Sequence, residues 1–212
     1  MKSVYYIVAI ALLLLLINFG RKYIVKYVSS NLTDYLYNGD FDNFEKLINK
    51  WYTKYLIHPF NIDFLKLSEA LIKQDSKQIE KCLEVFENTT ITDKQKQAIY
   101  QKAFFYYLQE DNHTKLKKYY RLIKNLEDKT LFNNIDDIFK IVVDKDVTLL
   151  SKYENIYNEN NNNSMAAYLL YNIYKNLDDS KKANKYLERF NELVEKGAYI
   201  RWQITTEIQT MK

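Results

Sequence analysis

The chain has 212 residues, enough for one domain or two small ones, and its 3 Gly and 1 Pro fall far below ordinary usage. So few turn formers argue against an all-β sandwich or an α/β fold with glycine-rich crossovers, and the single cysteine, Cys82, excludes an intramolecular disulfide. No Asp or Glu precedes Asp34, whereas Lys2, Arg21, Lys22 and Lys26 do; the formal charge of +4 therefore belongs to the N-terminal segment, and a neutral remainder speaks against nucleic-acid binding.

The first element is Val4 to Phe19, 16 residues without a charge. A membrane-spanning helix needs about 17–25 apolar residues, and Lys2 and Arg21 can extend the span by snorkelling. Asn18-Phe19-Gly20-Arg21 offers no small-x-small cleavage site, so the segment is expected to stay as an anchor. Residues 1–28 are expected to form this transmembrane anchor with its juxtamembrane basic segment, and 29–212 the body. Arg21, Lys22 and Lys26 outnumber the positive charges before the helix, which favours a cytoplasmic body at the cell membrane. Four Asn-x-Ser/Thr triplets (at Asn31, Asn88, Asn112 and Asn162) are expected by chance in so asparagine-rich a chain.

Along the body, five polar turn signals interrupt a helical pattern: Gly39-Asp40, Gln74-Asp75, Asp111-Asn112, Lys145-Asp146 and Asp178-Asp179, spaced 33 to 37 residues apart. Apolar residues flank them at three- and four-residue spacing. After the first come Phe41, Phe44, Leu47, Ile48 and Trp51; around the third Tyr100, Ala103, Phe104 and Tyr107, then Leu116, Tyr120 and Ile123; after the fifth Ala183, Leu187 and Phe190. Asp, Asn and Ser beside the turns are natural N-caps, so each signal predicts a hairpin of two helices. Asn158 to Asn163, broken only by Glu159, reads as a solvated linker before the fifth hairpin. Beyond Gly197, Ile200, Ile204, Ile208 and Met211 predict a one-sided capping helix, with Trp202 off its stripe.

This spacing, with Ala167-x2-Leu170-Tyr171-x2-Tyr174 and Ala183-x3-Leu187 in the fifth unit and Tyr100-x2-Ala103-Phe104-x2-Tyr107 in the third, resembles the tetratricopeptide repeat family. The resemblance implies an all-α fold: an α-solenoid of about five helical hairpins plus a C-terminal capping helix. The family places small residues where this chain has Phe104, Tyr171, Phe44, Ile79 and Leu116. Larger side chains there push paired helices apart, so an irregular array is expected. The resemblance also implies a concave partner-binding surface on the first helices, at Phe64, Ser68, Gln101, Phe105, Tyr168 and Asn172.

Chemistry is sparse. Gly20, Gly39 and Gly197 lie too far apart for a phosphate-binding loop or a dinucleotide fingerprint, and there is no Gly-x-Ser-x-Gly or His-Glu-x-x-His. His58 and His113 stand apart with no ligand pattern around them, and Cys82 has no base beside it. No cofactor, metal, nucleic acid or small-molecule substrate is expected, and no enzymatic activity. One run remains, in which Lys117, Arg121 and Lys124 share a helix face opposite Leu116, Tyr120 and Ile123. It is either a solvated face or a contact for anionic lipid. The sequence therefore points to a membrane-anchored scaffold for a protein partner, presented as a peptide or a helix, with a membrane-surface or envelope-associated sensing domain that uses the Lys115–Lys124 face for anionic lipid as the rival.

Overall fold

One backbone device recurs through the body. Gly39, Gln74, Asp111, Lys145 and Asp178 all take a left-handed conformation, with φ of 69°, 54°, 51°, 59° and 57°. In four of these turns the N–H of the next residue donates to the carbonyl five back: Asp40 to Tyr35 (2.8 Å), and Asp75 to Ala70, Asn112 to Tyr107 and Asp179 to Tyr174 (3.0 Å each). The left-handed residue itself donates to the carbonyl three back, so the orphan carbonyls of the first helix are paired. The following carboxylate or amide then caps the second helix. Asp40, Asp75, Asn112 and Asp179 accept from the N–H groups of Asn43, Gln78, Lys115 and Lys182 at 3.0 to 3.3 Å. Two residues thus end one helix and start the next.

The computed structural model describes residues 2–126 and 132–195, with side chains in 19–126 and 134–195. Among the described residues all regular structure is helical. In chain order the helices are α1 (Lys2–Asn38), α2 (Phe41–Ile48), α3 (Trp51–Leu56), α4 (Pro59–Lys73), α5 (Ser76–Glu87), α6 (Asp93–Gln109), α7 (His113–Lys124), α8 (Phe132–Val142), α9 (Leu150–Glu159), α10 (Ser164–Asn176) and α11 (Ser180–Glu195). The all-α class is as expected. The predicted capping helix at Ile200, Ile204, Ile208 and Met211, with Gly197 and Trp202, lies outside the described residues.

The chain divides into two compact units, Met1–Ile91 and Thr92–Lys212. In the first, α2 folds back on α1, and Val28, Leu32 and Leu36 form one buried stripe of α1. With Phe44, Ile48, Ile57, Ile62 and Leu65 that stripe makes a continuous core. The periodic run after the first turn does not continue to Trp51. Lys50 is extended (φ −63°, ψ 141°), which breaks the phase between α2 and α3. Thr53 turns inward, its hydroxyl donating to the Leu47 carbonyl at 2.8 Å, and Trp51 is left 78% exposed. Pro59 opens α4 at its first turn, where a missing N–H costs nothing, and His58 Nδ1 accepts from the Phe60 N–H.

In the second unit α6 starts with a reciprocal cap. The Thr92 hydroxyl accepts from the Gln95 N–H, and Gln95 Oε1 accepts from the Thr92 N–H. Phe104, Phe105, Tyr106 and Tyr107 are all buried, as a helix apolar all round requires. Helix pairs α6–α7 and α10–α11 pack directly. The fourth turn is looser: Asp146 donates six back to Lys140 and caps Thr148, and α9 begins only at Leu150. There α8 and α9 are tied by polar bonds, since buried Asp137 accepts from the Tyr153 hydroxyl at 2.8 Å and from Lys152 Nζ. The asparagine run is exposed but not loose. Asn163 caps α10, and the Arg189 guanidinium of α11 donates to the Asn161 carbonyl and to Asn162 Oδ1 (2.8 Å).

Among the described residues no helix is long and apolar enough to cross a membrane. The expected anchor, Val4–Phe19, has a helical backbone within α1, but its side chains before Phe19 lie outside the described residues.

Candidate functional site: the first-helix positions and the basic face of α7

The six positions expected on a concave surface lie on α4, α6 and α10, the first helices of their hairpins. Phe64, Ser68, Gln101 and Phe105 are buried, with 1 to 8% exposure. Phe64 stacks on Phe60 at 5.8 Å, and Phe105 meets Phe104 edge-on at 5.5 Å. The Ser68 hydroxyl turns back to the Phe64 carbonyl at 3.0 Å, and the Asn172 amide does the same to the Tyr168 carbonyl at 2.9 Å. Such back-bonding satisfies the polar group inside its own helix instead of presenting it outward. Only Tyr168 and Asn172 are half-buried, and Tyr168 leans on Phe190 at 5.3 Å. The first four therefore pack in the core, while Tyr168 and Asn172 keep part of their surface exposed.

The basic run behaves differently. On α7, Leu116, Tyr119 and Ile123 are buried, while Lys117, Lys118, Arg121 and Lys124 are exposed. Tyr119 takes the inward place expected for Tyr120, because the stripe runs 116–119–123 in steps of three and four. α7 itself carries no acidic residue. Lys118 lies over the Tyr119 ring and Lys124 over Tyr120, at 5.3 and 5.9 Å. Lys117, Arg121 and Lys124 are exposed on this face, and the charge of Lys124 helps hold the Asp136 carboxyl low.

Behind this face Tyr120 connects α7 to α8. It stacks flat on Phe139 (3.9 Å, 8°), and its hydroxyl donates to Asp136 Oδ1 at 2.6 Å. Burial and the carboxylate together push the Tyr120 phenol well above its usual range. Desolvation raises Asp136, but hydrogen bonds from Lys140 and Tyr120 outweigh it and hold the carboxyl below its ordinary value. Tyr153 on Asp137 and Tyr174 on Glu154 are raised by the same combination. These tyrosine–carboxylate bonds join α7 to α8, α8 to α9 and α9 to α10. Asp136 and Asp137, adjacent in sequence, serve different helices and form no acid–base pair.

Cys82 is buried on α5, its thiol accepting a weak bond from Gln78 (3.7 Å), and burial pushes its pKa up. A thiol held protonated is a poor nucleophile. His58 caps α4, and His113 Nε2 lies 2.9 Å from Asp111. Among the described residues no three His, Cys, Asp or Glu side chains converge as metal ligands do.

Comparison with family models, with curated proteins and with solved structures gives no match for this chain.

Proposed function

We propose that the chain is a single-pass membrane protein whose helical body is a non-enzymatic, tetratricopeptide-like scaffold for a protein partner. The observation that carries this reading is the recurrent turn. One left-handed residue and one capping residue recur along the body and build successive helical hairpins, which supports a repeat-like array. The uncharged stretch Val4–Phe19 and the basic residues after it support an N-terminal anchor with the body on the cytoplasmic side. Photo-crosslinking of the full-length protein in its membrane, with the crosslinker at Tyr168 or Asn172, is expected to capture one discrete polypeptide. No adduct above an exposed-site control at Glu188 would sink the scaffold reading. A cysteine introduced by Asn161→Cys in a Cys82→Ser background reports the side: labelling of intact cells by an impermeant maleimide reverses the orientation.

The exposed charge of Lys117, Arg121 and Lys124 favours a second reading, an anionic-lipid contact by α7. Lys117→Glu with Lys124→Glu separates the two. Crosslinking at Tyr168 or Asn172 that survives, with unchanged binding of residues 30–212 to anionic vesicles, favours the protein partner, and weakened vesicle binding favours lipid.

A further inference from the structure

The helix that breaks phase after α2 presents a surface that the scaffold role does not use. α3 buries Thr53 and packs on α1, while Trp51 and Tyr55, four residues apart on one face, are 78% and 73% exposed. On α1, Phe19, Tyr23 and Tyr27 form a second four-residue stripe, exposed by 69%, 73% and 60%. Lys50 and Lys54 flank Trp51 and are exposed, as are Arg21, Lys22 and Lys26 on α1. α3 carries no acidic residue, and α1 has none before Asp34. At about 100° per residue the Phe19–Tyr23–Tyr27 stripe lies on the side of α1 away from Val28, Leu32 and Leu36, so Trp51 and Tyr55 with Lys50 and Lys54 form a face of their own, with no carboxylate on α3.

The topology sets the level of this surface. The Gly39 turn folds α2 back along α1, so α3 falls toward the N-terminal end of the buried stripe, which begins at Val28. At a rise of 1.5 Å per residue, Val28 stands about 12 Å along α1 from Gly20, where the uncharged stretch has ended. A headgroup layer is roughly 5–7 Å deep on each side of the hydrocarbon. A tilt of about 20° shortens that height to about 11 Å and lowers an element packed about 10 Å to the side by about 3 Å more, which leaves α3 within reach of the headgroups through its long tryptophan, tyrosine and lysine side chains. Tyrosine and tryptophan are the residues that settle at this boundary, and lysine beside them meets anionic headgroups.

We infer that α3 is a second membrane contact: Trp51 and Tyr55, with Lys50 and Lys54, dock on the anionic phospholipid surface from which α1 emerges. The inference rests on the anchor proposed above. It makes the first unit a rigid foot on the bilayer rather than a body on a free tether.

The test uses the full-length protein in phosphatidylcholine–phosphatidylglycerol vesicles whose phosphatidylcholine is brominated near the top of the acyl chains. Trp202→Phe leaves Trp51 as the sole tryptophan. Docking predicts blue-shifted Trp51 emission that the brominated lipid quenches, and Lys50→Glu with Lys54→Glu abolishes that quenching. A second reporter, Phe19→Trp with Trp51→Phe and Trp202→Phe, reads the anchor alone. Quenching at the Phe19→Trp position without quenching at Trp51 overturns the docking and leaves the anchor standing. Quenching at neither overturns both. Blue-shifted Trp51 emission that brominated lipid leaves untouched means that a protein surface, such as a second copy, covers α3, and that also overturns the docking.

Discussion

Gln74 offers a direct test of the turn device. It is exposed, its φ is 54°, and its side chain makes no hydrogen bond among the described residues. A non-glycine residue in the left-handed region costs about 1–2 kcal/mol. Glycine removes that cost but returns roughly 0.4–1 kcal/mol through the larger entropy of its unfolded chain. Gln74→Gly is thus expected to stabilise the first unit by about 0.5–1 kcal/mol, or roughly 3–6 °C for a unit of this size. Lys145→Gly should gain as much, whereas Asp111→Gly and Asp178→Gly gain less, because aspartate tolerates this conformation better. The control is Lys81→Gly on the exposed face of α5, where glycine costs about 0.5–1 kcal/mol. Thermal unfolding followed by far-ultraviolet circular dichroism reads all five variants. If Gln74→Gly and Lys81→Gly lower the midpoint alike, the left-handed reading of the turn is refuted.

Three further outcomes follow from the same geometry. Gly39→Ala should cost about 1 kcal/mol through backbone strain alone, since an added Cβ would meet only the Phe41 ring at 4.0 Å; a loss several times larger in urea titration means the site is crowded. Asp136 titrates below its ordinary value when folded, so its contribution is present above the unfolded pKa near 3.9 and is lost as pH falls through the lower folded value. Asp136→Asn is therefore expected to be less stable than wild type at neutral pH, with the gap closing below about pH 4; a gap that widens on acidification contradicts the Tyr120 and Lys140 bonds. Cys82, buried with a raised pKa, should react with a thiol reagent only after denaturation, and rapid labelling of the native protein would place it at the surface.

The turns were legible because their chemistry is local. In four of the five turns a left-handed residue followed by Asp or Asn is a two-letter signal whose bonds reach no further than five residues. Lys145 obeyed the rule in φ but not in spacing, since nothing in its immediate sequence announces that α9 starts only at Leu150. The burial of the candidate partner positions was not legible, because it depended on which face of each first helix the neighbouring helices cover. Phe64 and Gln101 sit on helices with buried residues all round, where period alone names no outward face. Trp51 was hidden for the opposite reason. It fits the stripe of α2 in register, and only the extended backbone of Lys50 turns it out of phase. Tyr119 and Tyr120 differ by one position and were exchanged, the ordinary consequence of two adjacent aromatics on a helix of 3.6 residues per turn.

The grip of Arg189 on the asparagine loop has a consequence for the order in which the second unit closes. The residues that composition marks as the loosest in the body are held by a guanidinium that arrives 28 residues later in the chain. Until α11 has formed, Asn161 and Asn162 have no such partner, and α10 lacks the helix that packs along it. A chain cut or halted before Arg189 loses both at once. Its asparagine run then becomes an open strand for proteases at the very point where α9 and α10 join, so truncation of α11 is read out as cleavage far upstream of the missing residues.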